Sequence, residues 1–357
     1  MGELRKVAVK DVVVRDVHVV VPDGIDDPRR PSGGNVYDRR ACRGLAALGW
    51  LVHEHTVPGR WPRPDAPARA AVAAALTQMA SGSLVLVDGL VASVAPEVLE
   101  PQAGRLRLVV LLHTPRDEPH EVAALSAASA IVATSEWTRR WLRDHYALPG
   151  DRVHVVPPGV DAAEVAAGTP SGGRLLCVGA VTPLKGHDLL LDALATIVDP
   201  AYRCVCVGAL DLDVEFVARL RRLAEDKGLG DRVCFTGPLT DDELDCAYAE
   251  ADVLVLASRA ETYGMVVTEA LARGLPVIAG EVGGVPEALG YAADGSRPGL
   301  LVPPGDPQAL EQTLCCWLGN SGERERLRAA ARSRRQTLSD WAQTSRELSA
   351  VLSGVAG

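Results

Sequence analysis

The sequence predicts an α/β protein of two doubly wound parallel-sheet domains that face each other across a cleft. Three observations lead there. Short, continuous apolar runs alternate with helix-length segments along most of the chain, the pattern of strands buried on both faces by helices. The alternation breaks once, in an Ala/Gly/Ser/Thr/Pro-rich stretch at 162–173, and then restarts. The length of 357 residues suits two domains at roughly 100–200 residues each. Apolar residues make up 47% and charged residues 23%, an ordinary globular balance, while aromatics reach only 4%, so both cores must be built from Val, Leu and Ala.

Residues 1–16 are mixed polar and Val-rich without a clear period, a lead-in or a short extra strand. The first strand is expected at 17–21, closed by Pro22, and a polar Gly/Pro/Asp-rich loop follows from Asp23 to Asn35. A helix is expected at 36–48, stopped by Gly49, then a strand at 50–55. Pro58, Pro62, Pro64 and Pro67 mark a loop before an Ala-rich helix near 68–79. Strands at 84–87, 106–112 and 130–133 and a helix at 135–144 complete the first domain, 1–161.

After the linker at 162–173 comes the second domain, 174–337. Strands are expected at 174–178, 202–207, 233–235, 253–256 and 277–279, with helices at 188–196, 214–227, 241–250 and 265–273 between them. An Arg-rich helix near 324–335 follows. A final helix near 338–353 belongs to a C-terminal segment, 338–357, expected to rejoin the first domain. In open parallel sheets ligands bind beyond the carboxyl ends of strands, so motif residues should lie just after strands.

The net charge of −9 is uneven: residues 1–160 hold 19 basic and 18 acidic residues, leaving 18 of the 37 basic and 28 of the 46 acidic ones to the remainder. The Arg groups of the first half (Arg29, Arg30, Arg39, Arg40, Arg43; Arg139, Arg140, Arg143) read as a solvated face or a cradle for an anionic ligand. A nucleic-acid site would need a basic domain, and neither half is one. None of the eight cysteines falls in a CxxC or His-paired metal spacing. Most lie in apolar runs, and no signal peptide is evident, so a reducing, cytoplasmic setting is expected. No apolar stretch is long enough to span a bilayer, and no basic amphipathic helix near the N-terminus argues for membrane association.

The most informative segment starts at Ser258, after the expected strand 253–256, and enters the helix at 265–273. Backbone amides at Gly264, Met265 and Val266 then open a helix at the cleft, where free N–H groups and the helix dipole suit a phosphate. Glu261 and Glu269 bracket that place, and carboxylates there suit sugar or ribose hydroxyls better than phosphate. Taken alone, the pair fits equally a helix-start Glu that favours the dipole and a solvated helix Glu.

The spacing Glu261–x7–Glu269 is joined by Tyr263-Gly264 and by Ala270-Leu271-Ala272-x-Gly274-Leu275-Pro276-Val277. In this it resembles the signature of family 4 glycosyltransferases, retaining enzymes of the GT-B fold with two Rossmann-like domains. The resemblance is colinear over most of the chain. Ser32-Gly33-Gly34 is similar to the family's N-terminal Gly-rich loop, His113 to a donor-site His, and Val178-Gly179-x4-Leu184-Lys185-Gly186 to its diphosphate loop. Phe235-Thr236-Gly237 is similar to the base-side loop. Segments 133–138, 156–161, 283–287 and 299–306 match further family stretches. Outside the resemblance, Gly33-Gly34 also fits an ordinary turn, Lys185 a solvated side chain and His113 a satisfied structural histidine; the dinucleotide spacing G-x-G-x-x-G is absent.

The resemblance implies a nucleoside-diphosphate sugar as donor, with UDP favoured over GDP, and a hydroxylated acceptor. Glu269 would hold ribose hydroxyls and Glu261 the donor sugar, while Lys185 and the amides of 264–266 would take the diphosphate. Gly34 would pack beside it, His113 would contact the sugar, and Gly33, Gly179, Gly237 and Tyr263 would complete the donor site. No metal or other cofactor is implied, and acceptor recognition would involve the Asp23–Asn35 loop. The alternatives are an epimerase or hydrolase of the same fold, or a non-catalytic sugar-nucleotide-binding protein. One position departs from the family: Ala180 stands where an Arg usually follows the Val-Gly of the diphosphate loop; either an Arg elsewhere, such as Arg259 or Arg39, substitutes for it, or the pyrophosphate is held less firmly or activity is weak.

Overall fold

The computed structural model describes residues 15–29, 31–198 and 202–356. Most of the lead-in expected at 1–16, together with Arg30 and Gly357, lies outside them; Arg15 and Asp16 open the first strand. The first domain carries β1 (Arg15–Pro22), α1 (Gly33–Ala47), β2 (Trp50–Val57), α2 (Ala66–Gln78), β3 (Leu84–Asp88), α3 (Gly89–Ala92), α4 (Pro96–Leu99), β4 (Arg107–Leu112), α5 (Pro119–Ala127), β5 (Ala130–Ala133), α6 (Glu136–Tyr146) and β6 (Val153–Val155). Its strands form one parallel sheet in the order β2-β1-β3-β4-β5-β6.

The second domain carries β7 (Arg174–Val178), α7 (His187–Ala195), β8 (Arg203–Val207), α8 (Val214–Asp226), β9 (Val233–Gly237), α9 (Asp241–Glu250), β10 (Val253–Leu256), α10 (Met265–Ala272), β11 (Val277–Gly280), α11 (Val285–Leu289), β12 (Gly299–Val302), α12 (Pro307–Gly319) and α13 (Ser321–Arg335). Its parallel sheet runs β12-β11-β10-β7-β8-β9. Counted within the domain and from the other edge, this is the order 3-2-1-4-5-6, so the direction of winding reverses between β7 and β10. That reversal opens a crevice between the loops that follow these two strands. Both sheets are covered on both faces, which is why β3, β5, β10 and β11 are buried at every residue.

A last helix, α14 (Trp341–Ala356), returns to the first domain. Leu348 and Leu352 pack with Val17, Val19, Leu45 and Trp50, and the Trp50 indole donates to Ser349 Oγ at 2.9 Å. The chain therefore crosses between domains twice, and the crossings are bonded to each other: Val160 N–H donates to Ser339 O and the Thr344 hydroxyl to Pro157 O. The stretch 162–173 has no regular structure but is held to the second domain. Asp252, fully buried, accepts from the backbone N–H and hydroxyl of Thr169, from Arg174 N and from Arg328.

Several boundaries differ from the sequence expectation for local reasons. The helix expected at 36–48 begins at Gly33, because Ser32 Oγ accepts from Asn35 N and caps the first turn. Gly33 and Gly34 are thus helical and need no positive φ. Helices α3, α4 and α11 are only four or five residues long, too short to show a period. In α5 Ala and Leu are interleaved with few polar residues, so it lacks amphipathic contrast. The edge strands β6 and β12 and helix α12 also went unmarked in sequence. Among the described residues no helix is long and apolar enough to cross a membrane.

Candidate active site

The loops after β7 and β10 meet at the crevice. After β7 the chain makes a tight 3-10 turn at Pro183–Lys185 and enters α7 through Gly186, whose φ is +67°. A Cβ at Gly186 would stand 1.9 Å from Ala257 O, so only glycine lets this turn lie against the end of β10. That approach brings Lys185 Nζ to 2.5 Å from Glu261 Oε1, which also accepts from the Ser258 hydroxyl at 2.9 Å. The Glu261 side chain keeps only 10% of its surface exposed and Lys185 keeps 32%, so the pair is shielded at one end and open at the other. Behind Glu261 the backbone is held by Gly283 and Gly284. Gly284 N–H donates to Glu261 O, and a Cβ at Gly283 would fall 1.5 Å from that same oxygen.

Gly264, at φ +90°, turns the chain into α10, so the amides of Met265 and Val266 open the helix beside Lys185 and Glu261, as the spacing suggested. In the second turn of α10, Glu269 accepts from the Tyr248 hydroxyl at 2.8 Å. Burial, the largest influence, pushes its carboxyl above the usual range, and Tyr248 counteracts this. Tyr263 points elsewhere: it lines a 190 Å³ cavity at the seam between the domains with Pro157, Val160, Glu287 and Arg334. Gly237 (φ +83°) closes β9 and accepts from Gly208 N, and Gly179 packs against the Lys185 stem.

From the first domain, the start of α1 and the end of β4 reach the cleft. The two glycines are required by their neighbours rather than by their own dihedrals. A Cβ on Gly33 would lie 3.0 Å from Met265 Sδ of the opposite domain, and one on Gly34 would lie 3.0 Å from the His113 ring. His113 Nε2 sits 2.8 Å from Asp38 Oδ1, and the edge of the ring meets Tyr37 at 5.4 Å between centroids. Asp38 and Asp88 are 1% and 2% exposed. Burial is the main reason the Asp38 carboxyl is raised to about 6 and the Asp88 carboxyl well above the usual range, while burial lowers His113. Sequence reading missed Asp38 and Asp88. The one signal available was a charged residue closing an otherwise apolar strand, Leu84–Asp88.

The domains are also bolted together beside the site. Ser135, the N-cap of α6, donates its hydroxyl to Thr262 O at 2.7 Å, and Glu287 accepts from the amide of Glu136 at 2.9 and 3.0 Å. A carboxylate from the second domain thus completes the positive end of a first-domain helix.

Of the two arginines considered for the place of Ala180, Arg39 is held by Asp26 and Glu54 on its own domain. Arg259 lies against the Lys185 turn, donating to Pro183 O at 2.7 Å while paired with Asp188. Arg29, Arg40 and Arg139 of the basic surfaces are likewise ion-paired. Arg29 also helps line a 600 Å³ cavity with Leu210, Asp211, Arg221 and Pro238, so the 23–35 loop reaches the second domain.

The cysteines divide evenly. Cys42, Cys177, Cys204 and Cys206 are buried, and Cys234, Cys246, Cys315 and Cys316 are exposed; all are free. Although no metal spacing shows in the sequence, folding places donor atoms of Cys177, His187 and Cys206 within 4.8 Å of one another, compact enough to hold an ion.

Comparison with known proteins gives the family and the fold. Residues 15–164 match the model of "Glycosyltransferase Family 4" and residues 170–334 that of "Glycosyl transferases group 1". The chain is 33% identical over 251 residues to a D-inositol 3-phosphate glycosyltransferase of Jonesia denitrificans, covering 65% of this chain and 58% of the relative. It is 36% identical over 229 residues to one of Frankia alni, covering 59% and 55%. The match thus spans little more than half the length of these curated relatives. Among solved structures, sucrose-phosphate synthase from Thermosynechococcus elongatus superposes with a TM-score of 0.77 at 24% identity, over 95% of this chain and 98% of that one. Anabaena HepE in complex with UDP and glucose gives 0.74 at 19%, over 95% and 100%.

Proposed function

Because the chain belongs to the family 4 glycosyltransferases of the GT-B fold, we propose that it moves a glycosyl group from a nucleoside-diphosphate sugar to an acceptor hydroxyl, with retention at the anomeric carbon. The observation that carries this reading is the Lys185–Glu261 contact of 2.5 Å at the winding reversal, beside the amino end of α10. A cation, a carboxylate and free amides converge there. The donor's diphosphate draws Lys185 away from Glu261 and takes the α10 amides, and Glu261, released, accepts from hydroxyls of the sugar. Glu269 takes the ribose hydroxyls in place of Tyr248.

As the glycosyl–oxygen bond breaks, negative charge grows on the leaving diphosphate, where Lys185 and fixed N–H dipoles stabilise it. The chemistry asked of these residues needs no metal. No carboxylate is assigned as a nucleophile; the acceptor attacks the face the diphosphate leaves, and its proton passes to the departing phosphate oxygen. Arg259, against the Lys185 turn, is the nearer substitute for the arginine absent at Ala180. UDP is the favoured nucleotide, in keeping with HepE structures that hold UDP-glucose. The names of the curated relatives make a phosphorylated cyclitol the first acceptor to try. Eight free thiols suit the reducing, cytoplasmic setting included in this reading.

Thermal shift with UDP, GDP and ADP is the first test, since a ligand of the folded state raises the melting point by mass action. UDP should raise it most. Silence toward all three nucleotides would sink the reading. Turnover of UDP-glucose with no acceptor consumed would replace transfer by hydrolysis or epimerisation.

A further inference from the structure

His113 is bonded through a chain of carboxyls that the transfer reaction, as described, does not use. We propose that Asp38 and Asp88 are positioning residues that hold His113 in one tautomer: their carboxyls share a single proton, ionised Asp38 takes the Nε2–H, and Nδ1 is left bare as an acceptor for a donor-sugar hydroxyl. This deepens the transferase reading and rests on it for the identity of the ligand.

The geometry runs link by link. Asp88 Oδ1 accepts the Leu90 amide at the start of α3, at 2.5 Å. Asp38 Oδ1 faces His113 Nε2 at 2.8 Å. The two remaining oxygens, Asp38 Oδ2 and Asp88 Oδ2, are both buried, and neither has a donor among the described residues. Ligand atoms of Asp38, Asp88 and His113 all lie within 4.8 Å of one another, which sets the two carboxyls side by side. Two acceptor-only carboxylates cannot occupy that position without strong repulsion, whereas one proton between them satisfies both orphaned oxygens. It resides on Asp88, and Asp38, which faces His113 Nε2 at 2.8 Å, keeps the charge that an Nε2–H seeks.

A neutral imidazole has one N–H, so the bond to Asp38 dictates that Nδ1 carries a lone pair. The ring is held in this orientation by Gly34 along one edge and Tyr37 on another side. It retains 15% of its surface exposed at the end of β4, and no described residue bonds Nδ1. A hydroxyl of a bound sugar can therefore donate to His113 but not accept from it.

The test is 15N NMR of the full chain labelled at histidine, without nucleotide. His113 is expected as the Nε2–H form, with Nδ1 at the shift of a bare ring nitrogen. In Asp88→Asn the carboxamide donates permanently to Asp38, so tautomer and turnover should stay near the parent's. Asp88→Ala removes that donor, and in Asp38→Asn the side-chain N–H can donate to Nε2. Both should lose the pure Nε2–H signature and about tenfold in kcat, the worth of one hydrogen bond, with UDP affinity unchanged. An Nδ1–H signature in the parent would overturn the proposal. So would a change of His113 to the Nδ1–H form on adding Mg²⁺ or Zn²⁺, because a cation at Nε2 demands the opposite tautomer. Should Asp88→Ala fail to fold, the parent spectrum and Asp88→Asn still decide: loss of the signature in Asp88→Asn counts against the shared proton. The tautomer and nucleotide binding are read separately. UDP binding with the wrong tautomer removes this inference alone, and the right tautomer without nucleotide binding removes the function alone.

Discussion

On the second domain's side of the cleft, Ser258, Glu261, Gly264 and Glu269 come from one passage of chain, from the end of β10 through a loop into α10. On the first domain's side, Asp38, Asp88 and His113 come from α1, the end of β3 and the end of β4, segments 75 residues apart at their extremes. The first set is half-open and held by backbone: Gly283-Gly284 behind Glu261 and the Gly264 turn before α10. In the second set the two carboxyls are sealed, only the His113 ring reaches the cleft, and the hold comes from side chains that bond one another. A local site of this kind leaves a spacing in the sequence. A buried one depends on partners that only a folded sheet brings together, and each partner looks ordinary where it stands.

The contrast can be broken or sharpened by experiment. The largest effect is expected from Lys185→Ala, with donor turnover falling roughly 10²–10³-fold and UDP binding weakened, as measured by steady-state kinetics and calorimetry. Unchanged kinetics would remove Lys185 from the proposed site. Gly283→Ala should come next. Its Cβ would meet Glu261 O at 1.5 Å from a φ of +53°, so a loss of about 1–3 kcal/mol in stability is expected by denaturant titration, with Glu261 displaced.

Gly34→Ala and Gly33→Ala compare the two sides directly. Each new Cβ would stand 3.0 Å from a side-chain atom, the first from the His113 ring and the second from Met265 Sδ. Met265 is unbranched and can swing away, whereas His113 is tied to Asp38. Gly34→Ala should therefore lose about tenfold in kcat/KM and Gly33→Ala no more than a few-fold. Equal losses would mean that the ring is not rigidly held.

A smaller effect is expected for Glu287→Ala. Removing the carboxylate at the amino end of α6 should cost about 0.5–1 kcal/mol of domain closure, visible as a more open particle in small-angle scattering.

The smallest effect concerns pH. Asp88 is raised in the folded state, so between about pH 4, where an unfolded Asp titrates, and its folded value the native chain binds the extra proton. Stability from this group is thus present at low pH and declines as pH rises through that window. Asp38, at about 6, adds a contribution of the same sign. The melting point of Asp88→Asn, relative to the parent, should rise with pH over that range. A constant difference would mean that the Asp88 carboxyl is not raised.

Much of this architecture was legible in the chain. The strand–helix alternation, the break at 162–173 and the restart are visible because strands buried on both faces must be continuously apolar. Lys185, Glu261 and Gly264 stand where the loop spacing put them. Other features were not legible. Gly33 and Gly34 looked like a turn, because the Ser32 cap that makes them helical is the same residue type a turn would use. Tyr263 sits in the donor motif yet faces the seam between domains, since loop direction is set by the packing of Gly283 and Gly284 against it. The stretch 162–173 has the composition of a free linker, but buried Asp252 gathers it onto the second domain.

By itself, then, the sequence determined the fold class, the two-domain division and the Glu261–x7–Glu269 passage, because periodicity and short loops are encoded by neighbours in the chain. Tertiary structure alone decided which groups became chemical partners. Asp38 and Asp88 acquire unusual proton affinity only when burial strips their water and sets one against the other. Cys177, His187 and Cys206 come together only when β7 and β8 pair. Desolvation and proximity between distant segments are properties of the packed state, and no spacing along the chain records them.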